Sequence, residues 1–327
     1  LGNRENDEIF LFLVKKSSLK APFQKNILEV RILGHMFGIH LPSHGLYSFD
    51  SLLEAALSAE KYDIDSFWIG DHFFLPADLY EKFGGDPKRP DKLDAWTTLA
   101  AIASRTKKIR LGTRVSPIPF YLPGRLAKIV ATVDIISKGR VQLGVGAGWY
   151  EEEAVSYGIP WESLRERIER TVEGLQIIKK LWTSEWTSYE GKYYRLKNAP
   201  FFPKPLQHPY PPIFFGGKSR GILRAVAKFG NGWLPSTDTS LEEFKDAVTE
   251  IKKCAKDLGR DPSTIVMSPA LTMNPKDTRN FIEKVGKFLE NGAQQIILDV
   301  FLSGISPEEA PGAIMIFAEE VASHFKS

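Results

Sequence analysis

The chain has 327 residues, 43% hydrophobic and 25% charged, the make-up of an ordinary globular protein with one large domain or two modest ones. Its 43 basic residues against 40 acidic ones leave a net charge of +3, which gives no electrostatic footprint for nucleic acid or an anionic membrane. The single cysteine, Cys254, excludes an internal disulfide and a thiolate metal cluster, and a reducing, cytoplasmic setting fits.

Residues 1–35 are polar and then briefly apolar, without a clear period, and Met36 opens a clean strand, MFGIHLP. We read 1–35 as an upstream extension or a loosely attached arm, and 36–327 as one domain. No apolar run approaches the roughly eighteen residues that span a bilayer. Ile9 to Val14 is too short for a signal-peptide core and runs into lysines, so no export is expected.

From Met36 onward, strand and helix alternate. Phe37 to Leu41 is the first strand, Phe49 to Lys61 the first helix, and Ser66 to Gly70 the second strand, closing on Asp71 and His72. Leu93 to Ser104 follows as a helix, Ile109 to Val115 as a strand, and Pro123 to Ile136 as a helix with proline at its start. Arg140 to Val145 is the fourth strand. Leu164 to Leu181, with Ile168, Val172, Leu175, Ile178 and Leu181 at helical spacing, is the fourth and longest helix.

Trp182 to Pro212 breaks the rhythm. Its tyrosines, phenylalanines and prolines predict a short hairpin and then an extended excursion. The alternation resumes with strands at Ile213 to Phe215, Gly232 to Leu234, Ile265 to Leu271 and Gln294 to Val300. Helices at Ser219 to Phe229, Leu241 to Leu258, Thr278 to Leu289 and Pro307 to His324 separate and follow them. This alternation predicts parallel strands with right-handed crossovers and an α/β fold, a (β/α)8 TIM barrel with an insertion after the fourth helix at about 182–212. An open doubly wound sheet is the alternative.

In a barrel the functional groups lie where strands end. Those ends supply His40, Asp71 and His72, Arg114 to Ser116, and Gly146, Ala147, Gly148 and Trp149. The later strands add Gly216 to Ser219 and the run from Trp233. The stretch GRVQLGVGAGW carries a buried strand into three glycines, which admit either a packed neighbour or a cofactor ring close to backbone. It is not a dinucleotide fingerprint, because the spacing is wrong and Glu151, Glu152 and Glu153 would repel a pyrophosphate.

FFGGKS places Gly216, Gly217, Lys218 and Ser219 at a helix start. Free N–H groups, the helix dipole and an ammonium favour a phosphate there; a tight turn capped by Ser219 is the other reading. Asp71 and His72 admit a metal pair, a general acid and base, or a satisfied loop end. None of the six histidines shows the paired helical spacing of a zinc site, so no metal is expected, and an imidazole that donates to or shuttles protons for a flat ring is preferred. No Gly-X-Ser-X-Gly elbow suggests acyl transfer. Asp71 and Asp299 nominally supply a glycosidase pair, but that leaves the glycines and the phosphate turn without purpose.

With these residues in place, the chain resembles the luciferase-like monooxygenase family of flavin and deazaflavin (coenzyme F-420) oxidoreductases on a (β/α)8 barrel. The resemblance runs from Met36 to about Val300 and rests on four motifs in order: FGIHLP, FWIGDHFFLP, the run from IRLGTRVSP through GVGAGWYEEEAVSYG, and PPIFFGGKSRGILRAVAKFGNGW. It implies that catalytic His72 and Asp71 meet the redox ring and that Arg114-Val115 is a non-proline cis peptide supporting the ring's face. His40, Ser116, Gly146 to Gly148 and Tyr157 would join the cofactor contacts, Gly216 to Ser219 would hold its phosphate, and Trp149 and Trp233 would lie on the substrate side. The 182–212 segment would match the insertion that covers that side.

Deazaflavin sugar-phosphate dehydrogenases of the family carry a glutamate where this chain has Trp149, which favours an apolar or aromatic substrate face. The resemblance further implies hydride transfer with coenzyme F-420. FMN-dependent monooxygenation using molecular oxygen is the alternative, and a non-catalytic flavin-binding protein or an oligomeric scaffold are further ones. A flavin reductase or F-420 reductase as electron donor and a homodimer complete the expected partners.

Overall fold

The computed structural model describes residues 35–43, 46–82, 85–88 and 91–326. The extension read from residues 1–35 falls, His35 apart, outside the described residues.

Strands β1 (Met36–Pro42), β2 (Ser66–Gly70), β3 (Arg110–Thr113), β4 (Ser116–Pro117) and β5 (Val141–Gly146) carry the first half of the sheet. After a two-stranded hairpin, β6 (Trp186–Glu190) and β7 (Arg195–Pro200), the sheet continues through β8 (Ile213–Gly216), β9 (Gly232–Leu234), β10 (Val266–Met267), β11 (Ala270–Leu271) and β12 (Gln295–Asp299). The main sheet is parallel, with the order β10-β9-β8-β5-β3-β2-β1-β12-β11 and β4 paired to β5. Its two end strands are separated in the chain by Ser268 and Pro269 alone. The Ser268 N–H donates back to Trp233 O at 2.9 Å, and Pro269 O accepts forward from Ile297 N at 3.0 Å. The sheet is therefore curled, one short segment switching partners from β9 to β12.

Strand β3 ends two residues short of the expected Val115 with β4 a further short strand beyond it, and the stretch Ile265 to Leu271 read as one strand is split into β10 and β11. The Arg114–Val115 peptide between β3 and β4 is cis, and Ser116 pairs beside Val145. Between β10 and β11, Pro269 lacks the N–H that an uninterrupted strand needs.

Alternation along each strand divides the interior in two. Phe37, Ile39 and Leu41, with Phe67 and Ile69, join the large apolar cluster shared with the helices. The intervening positions face the concave side, where Trp68, Phe214, Leu234, Ala270 and Ile297 form a small separate cluster. Gly38 and Gly112 make room for Trp68, since a Cβ on Gly112 would lie 2.5 Å from the indole.

The helices are set by their ends. Helix α1 (Phe49–Lys61) is capped by Ser48, while α2 (Ala77–Lys82) is a short element between β2 and the next crossover. Helix α3 (Ala95–Arg105) is capped by Asp94, and α4 (Pro123–Ile136) opens on proline. A one-turn helix, α5 (Glu151–Ser156), follows β5 directly. Helices α6 (Leu164–Thr183) and α8 (Leu241–Asp257) start with capping boxes, Ser163/Glu166 and Ser240/Glu243. Helices α7 (Arg220–Phe229), α9 (Thr278–Glu290) and α10 (Ala310–Ile316) complete the layer, α10 running on through a π-helical turn at Phe317–Ala322.

The hairpin and the segment after it are strapped to the helical layer. Glu173 accepts from the amides of Lys192, Tyr193 and Tyr194, Glu169 binds Lys192 and Tyr193, and Asp134 on α4 accepts from Leu206 and Gln207. Among the described residues the segment's polar contacts run to α4 and α6, whose carboxylates accept from its amides, and to β3 and β5, where Arg110 donates to Gln207, Gln207 donates to Val141 O and Leu143 N donates to Pro212 O.

Candidate active site

At the C-terminal end of the concave face, the in-register pairing of β1 with β12 sets His40 against Asp299. His40 Nδ1 lies 3.1 Å from Asp299 Oδ2. The same oxygen accepts from Thr237 Oγ1 at 2.8 Å and has Arg114 Nη1 at 3.9 Å, while Asp299 Oδ1 accepts from Leu302 N at 3.0 Å. Burial alone would push the Asp299 carboxyl up, but His40, Arg114 and the Leu302 amide together hold it down at about 2. An ionised carboxylate requires a proton on His40 Nδ1. Burial lowers the pKa of His40, so the ring is neutral and Nε2 is a bare acceptor, buried and without a hydrogen-bond partner among the described residues.

A second histidine lies one strand over. His72 Nδ1 is 2.8 Å from Glu153 Oε2, and the other oxygen of Glu153 accepts the Phe73 amide. Glu153 is buried, on the first turn of α5. His72 Nε2 faces Trp149, whose indole N–H approaches at 3.3 Å with the rings edge to face. Trp149 leads an aromatic wall in which Tyr150 stacks on it and Phe73 stacks on Tyr157 at 4.0 Å.

Asp71 is buried where β2 ends. Its Oδ2 accepts from Ser116 Oγ and from Tyr121 OH at 2.8 Å, and Ser116 is itself fully buried, accepting from Trp96 Nε1 at 3.0 Å. Burial, the largest influence, raises the Asp71 pKa against the pull of Ser116 and Tyr121. Asp71 and Ser116 therefore brace the strand ends from inside. Trp233 is corrected: it is 0% exposed where Trp149 is 58% exposed, and its indole N–H holds Gly217 O at 2.7 Å. It offers no face to a substrate because its ring fills the core against Phe244.

Three of the glycines leave room for a packed neighbour, Val115. A Cβ on Gly146 would lie 2.7 Å from Val115 Cγ2, one on Gly216 would lie 2.9 Å from both Val115 methyls, and one on Gly144 would lie 1.8 Å from Thr113 O. Three glycines on two strands are hollowed out around the residue that follows the cis peptide, so Val115 forms a platform under the mouth. Ala147 is buried beside them, and Gly148 has φ +80°, a conformation that favours glycine, with Phe120 and Trp161 beyond it.

At the start of α7, Gly217 has φ +106° and Ser219 Oγ is buried without a partner among the described residues. Lys218 is paired with Glu243 at 3.0 Å and Asp238 at 3.9 Å. Open helix N–H groups, a buried unpaired hydroxyl and a nearby ammonium suit a phosphate, and the orphaned His40 Nε2 and the Val115 platform suit a ring above them.

Glu153 and Tyr121 escaped the sequence reading. Glu153 entered that reading only as one of three acidic residues that would repel a pyrophosphate; its one signal as a partner was a position four residues past Trp149 on a short helix. Among the described residues no group of three or more His, Cys, Asp or Glu side chains is arranged to hold a metal ion, and no helix is long and apolar enough to cross a membrane.

A parallel α/β sheet curled around an apolar centre, with two histidines held by carboxylates at its C-terminal rim and a glycine-lined platform between, defines a rim-site barrel-like fold. The luciferase-like monooxygenase family model matches residues 33–288, and the chain belongs to that family. An F420-dependent glucose-6-phosphate dehydrogenase from Amycolatopsis mediterranei (strain U-32) is 34% identical over 196 residues, 60% of this chain and 56% of the relative; the chain thus spans little more than half of that relative's length. An F420-dependent secondary alcohol dehydrogenase in complex with an F420-acetone adduct superposes with a TM-score of 0.78 at 22% identity, covering 90% of this chain and 100% of the other. The oxygenating constituent of 3,6-diketocamphane monooxygenase from Pseudomonas putida, in complex with FMN, superposes with a TM-score of 0.70 at 18% identity, covering 90% and 99%.

Proposed function

We propose that this protein is an oxidoreductase that uses a deazaflavin, coenzyme F-420, for hydride transfer to or from a small organic substrate, on a (β/α)8 barrel in which 182–212 is an insertion. The observation that carries the reading is His72, whose Nδ1 is fixed by Glu153 so that Nε2 is the acceptor at an aromatic rim. The deazaflavin supplies a carbon centre that accepts or gives hydride. His40, Val115 and the backbone of Gly146 to Gly148 would border its ring, and Gly217 to Ser219 its phosphate. His72 holds a proton-accepting nitrogen at the rim, Glu153 fixes its tautomer, and Trp149 covers it from water.

The named activities of two similar proteins favour the deazaflavin, and the family also contains FMN monooxygenases, so FMN is the second reading. Trp149 favours an apolar or aromatic substrate over a sugar phosphate, since an indole supplies no acid. We place the protein in the cytoplasm, on its single cysteine, and infer a homodimer served by an F-420 or flavin reductase.

Absorbance and fluorescence titrations with each cofactor test the reading. Saturable binding of the deazaflavin is expected. Tight binding of FMN with none of the deazaflavin would overturn the preference.

A further inference from the structure

At the end of the sheet away from the rim, the concave face closes in a ring of polar side chains. Ser66 and Arg110 open β2 and β3 side by side, Gln142 follows the first residue of β5, and Gln295 opens β12. Ser268 stands at the switch between β10 and β11, level with Gln295. The residues next to them in the chain, Phe67, Leu111, Val141 and Ile296 among others, belong to the apolar cluster shared with the helices, so alternation turns these five inward. Two residues further along three of the strands come Trp68, Ile297 and Ala270 of the small apolar cluster, which separate the ring from the rim.

Part of the ring is paired within the protein. Ser66 Oγ accepts from Trp68 Nε1 and from Gln295 Nε2, each at 2.8 Å. Gln207, from the segment after the hairpin, seats on the ring from outside. Arg110 Nη2 donates to its Oε1 at 3.1 Å, and its Nε2 donates to Val141 O and to Asp134 Oδ1, each at 2.7 Å. Four atoms are left over: Arg110 Nε, Gln142 Oε1, Gln295 Oε1 and Ser268 Oγ are buried with no protein partner among the described residues. The burial is deep, with Ser268 0% exposed, Gln295 2% and Gln142 7%.

The leftover atoms have mixed hydrogen-bonding sense. A guanidinium N–H only donates, an amide oxygen only accepts, and a serine hydroxyl does either. An anion would pair with Arg110 and confront the amide oxygens, while a metal cation would pair with the oxygens and confront the guanidinium. Water donates and accepts at once, and a buried water takes about three hydrogen bonds from groups that otherwise go unpaired. We propose that the N-terminal end of the concave face binds a small cluster of about two enclosed water molecules, with Gln207 as its seal. The segment after the hairpin thereby closes the end of the sheet opposite the candidate active site.

Oxygen-17 relaxation dispersion of water, recorded on the full-length protein, tests this by counting the waters held for longer than the protein takes to tumble. Replacing both amides, Gln142→Met with Gln295→Met, should lower that count by about two. Gln207→Ala, which breaks the seal, should lower it similarly with the circular dichroism spectrum unchanged. If the double variant does not fold, wild-type protein with 15N-labelled glutamine carries the test, and the side-chain amides of Gln142 and Gln295 should show rotating-frame Overhauser cross-peaks to water. A count unchanged in both variants, or amides without water cross-peaks, overturns the proposal. A wild-type count that changes when chloride is exchanged for acetate, or sodium for potassium, assigns the site to an ion and overturns it as well.

Discussion

His72 and Glu153, 81 residues apart in the chain, are joined by a 2.8 Å hydrogen bond that leaves His72 Nε2 as the acceptor at the rim. Both oxygens of Glu153 are occupied, one by the imidazole and the other by the Phe73 amide. A glutamine there offers one acceptor where two are needed. Glu153→Gln should therefore lower turnover about 100-fold through a mis-set tautomer, and cost about 1–3 kcal/mol of stability. Steady-state kinetics beside urea unfolding checks both. Unchanged turnover would remove His72 from the chemistry.

Val115 fills the space that Gly146 and Gly216 leave open. A methyl group at either glycine meets the Val115 side chain at under 3 Å, so Gly146→Ala should destabilise the fold by about 1–3 kcal/mol. Adding Val115→Ala should return most of that loss, because the clash is with the valine methyls. Denaturant midpoints of the two single variants and the double variant decide. Additive losses would show that the glycine serves something other than Val115.

Asp299 makes a pH-dependent contribution to stability whose sign is fixed by its environment. Its folded carboxyl sits at about 2 against an ordinary 3.8, so its stabilisation is complete above the unfolded value and disappears as pH falls from about 4 to about 2. That difference corresponds to about 2.5 kcal/mol. Asp71, whose pKa is raised, works in the opposite sense. In acid titrations followed by circular dichroism, Asp299→Asn should lose this part of the slope. An unchanged slope would place the acid sensitivity elsewhere.

Lys218 is exposed and shared between Glu243 and Asp238, so any phosphate at the α7 start competes with two carboxylates. Glu243→Gln should strengthen cofactor binding several-fold, and Lys218→Ala should weaken it about tenfold, each effect shrinking as salt is raised. Fluorescence titration at two ionic strengths measures this. Indifference to both changes would take Lys218 out of the phosphate site.

The indole of Trp149 occupies the nitrogen that the chemistry needs. Trp149→Phe keeps the aromatic wall and removes the competing N–H, so the KM for an apolar substrate should stay within about twofold. Trp149→Ala should raise it about tenfold through lost contact area. Equal effects of the two substitutions would show that the N–H matters more than the ring.

By itself the sequence determined the strand and helix order, the rim position of His72, His40 and Trp149, and the turn at Gly216 to Ser219. Each of those rests on local signals: alternation in strands, spacing in helices, caps, and glycine at a turn. Tertiary structure decided what those residues face. Whether Gly146 opens to a ring or to Val115 depends on a bulge thirty residues away, and Trp233 and Trp149 look alike in sequence although one is core and the other rim. The partners of His72 and His40, Glu153 and Asp299, lie on other elements, and the leftover polar atoms of Gln142 and Gln295 are visible only once their surroundings are packed. Pairing between buried charges is a property of distance in space, and the order of residues along a chain does not contain it.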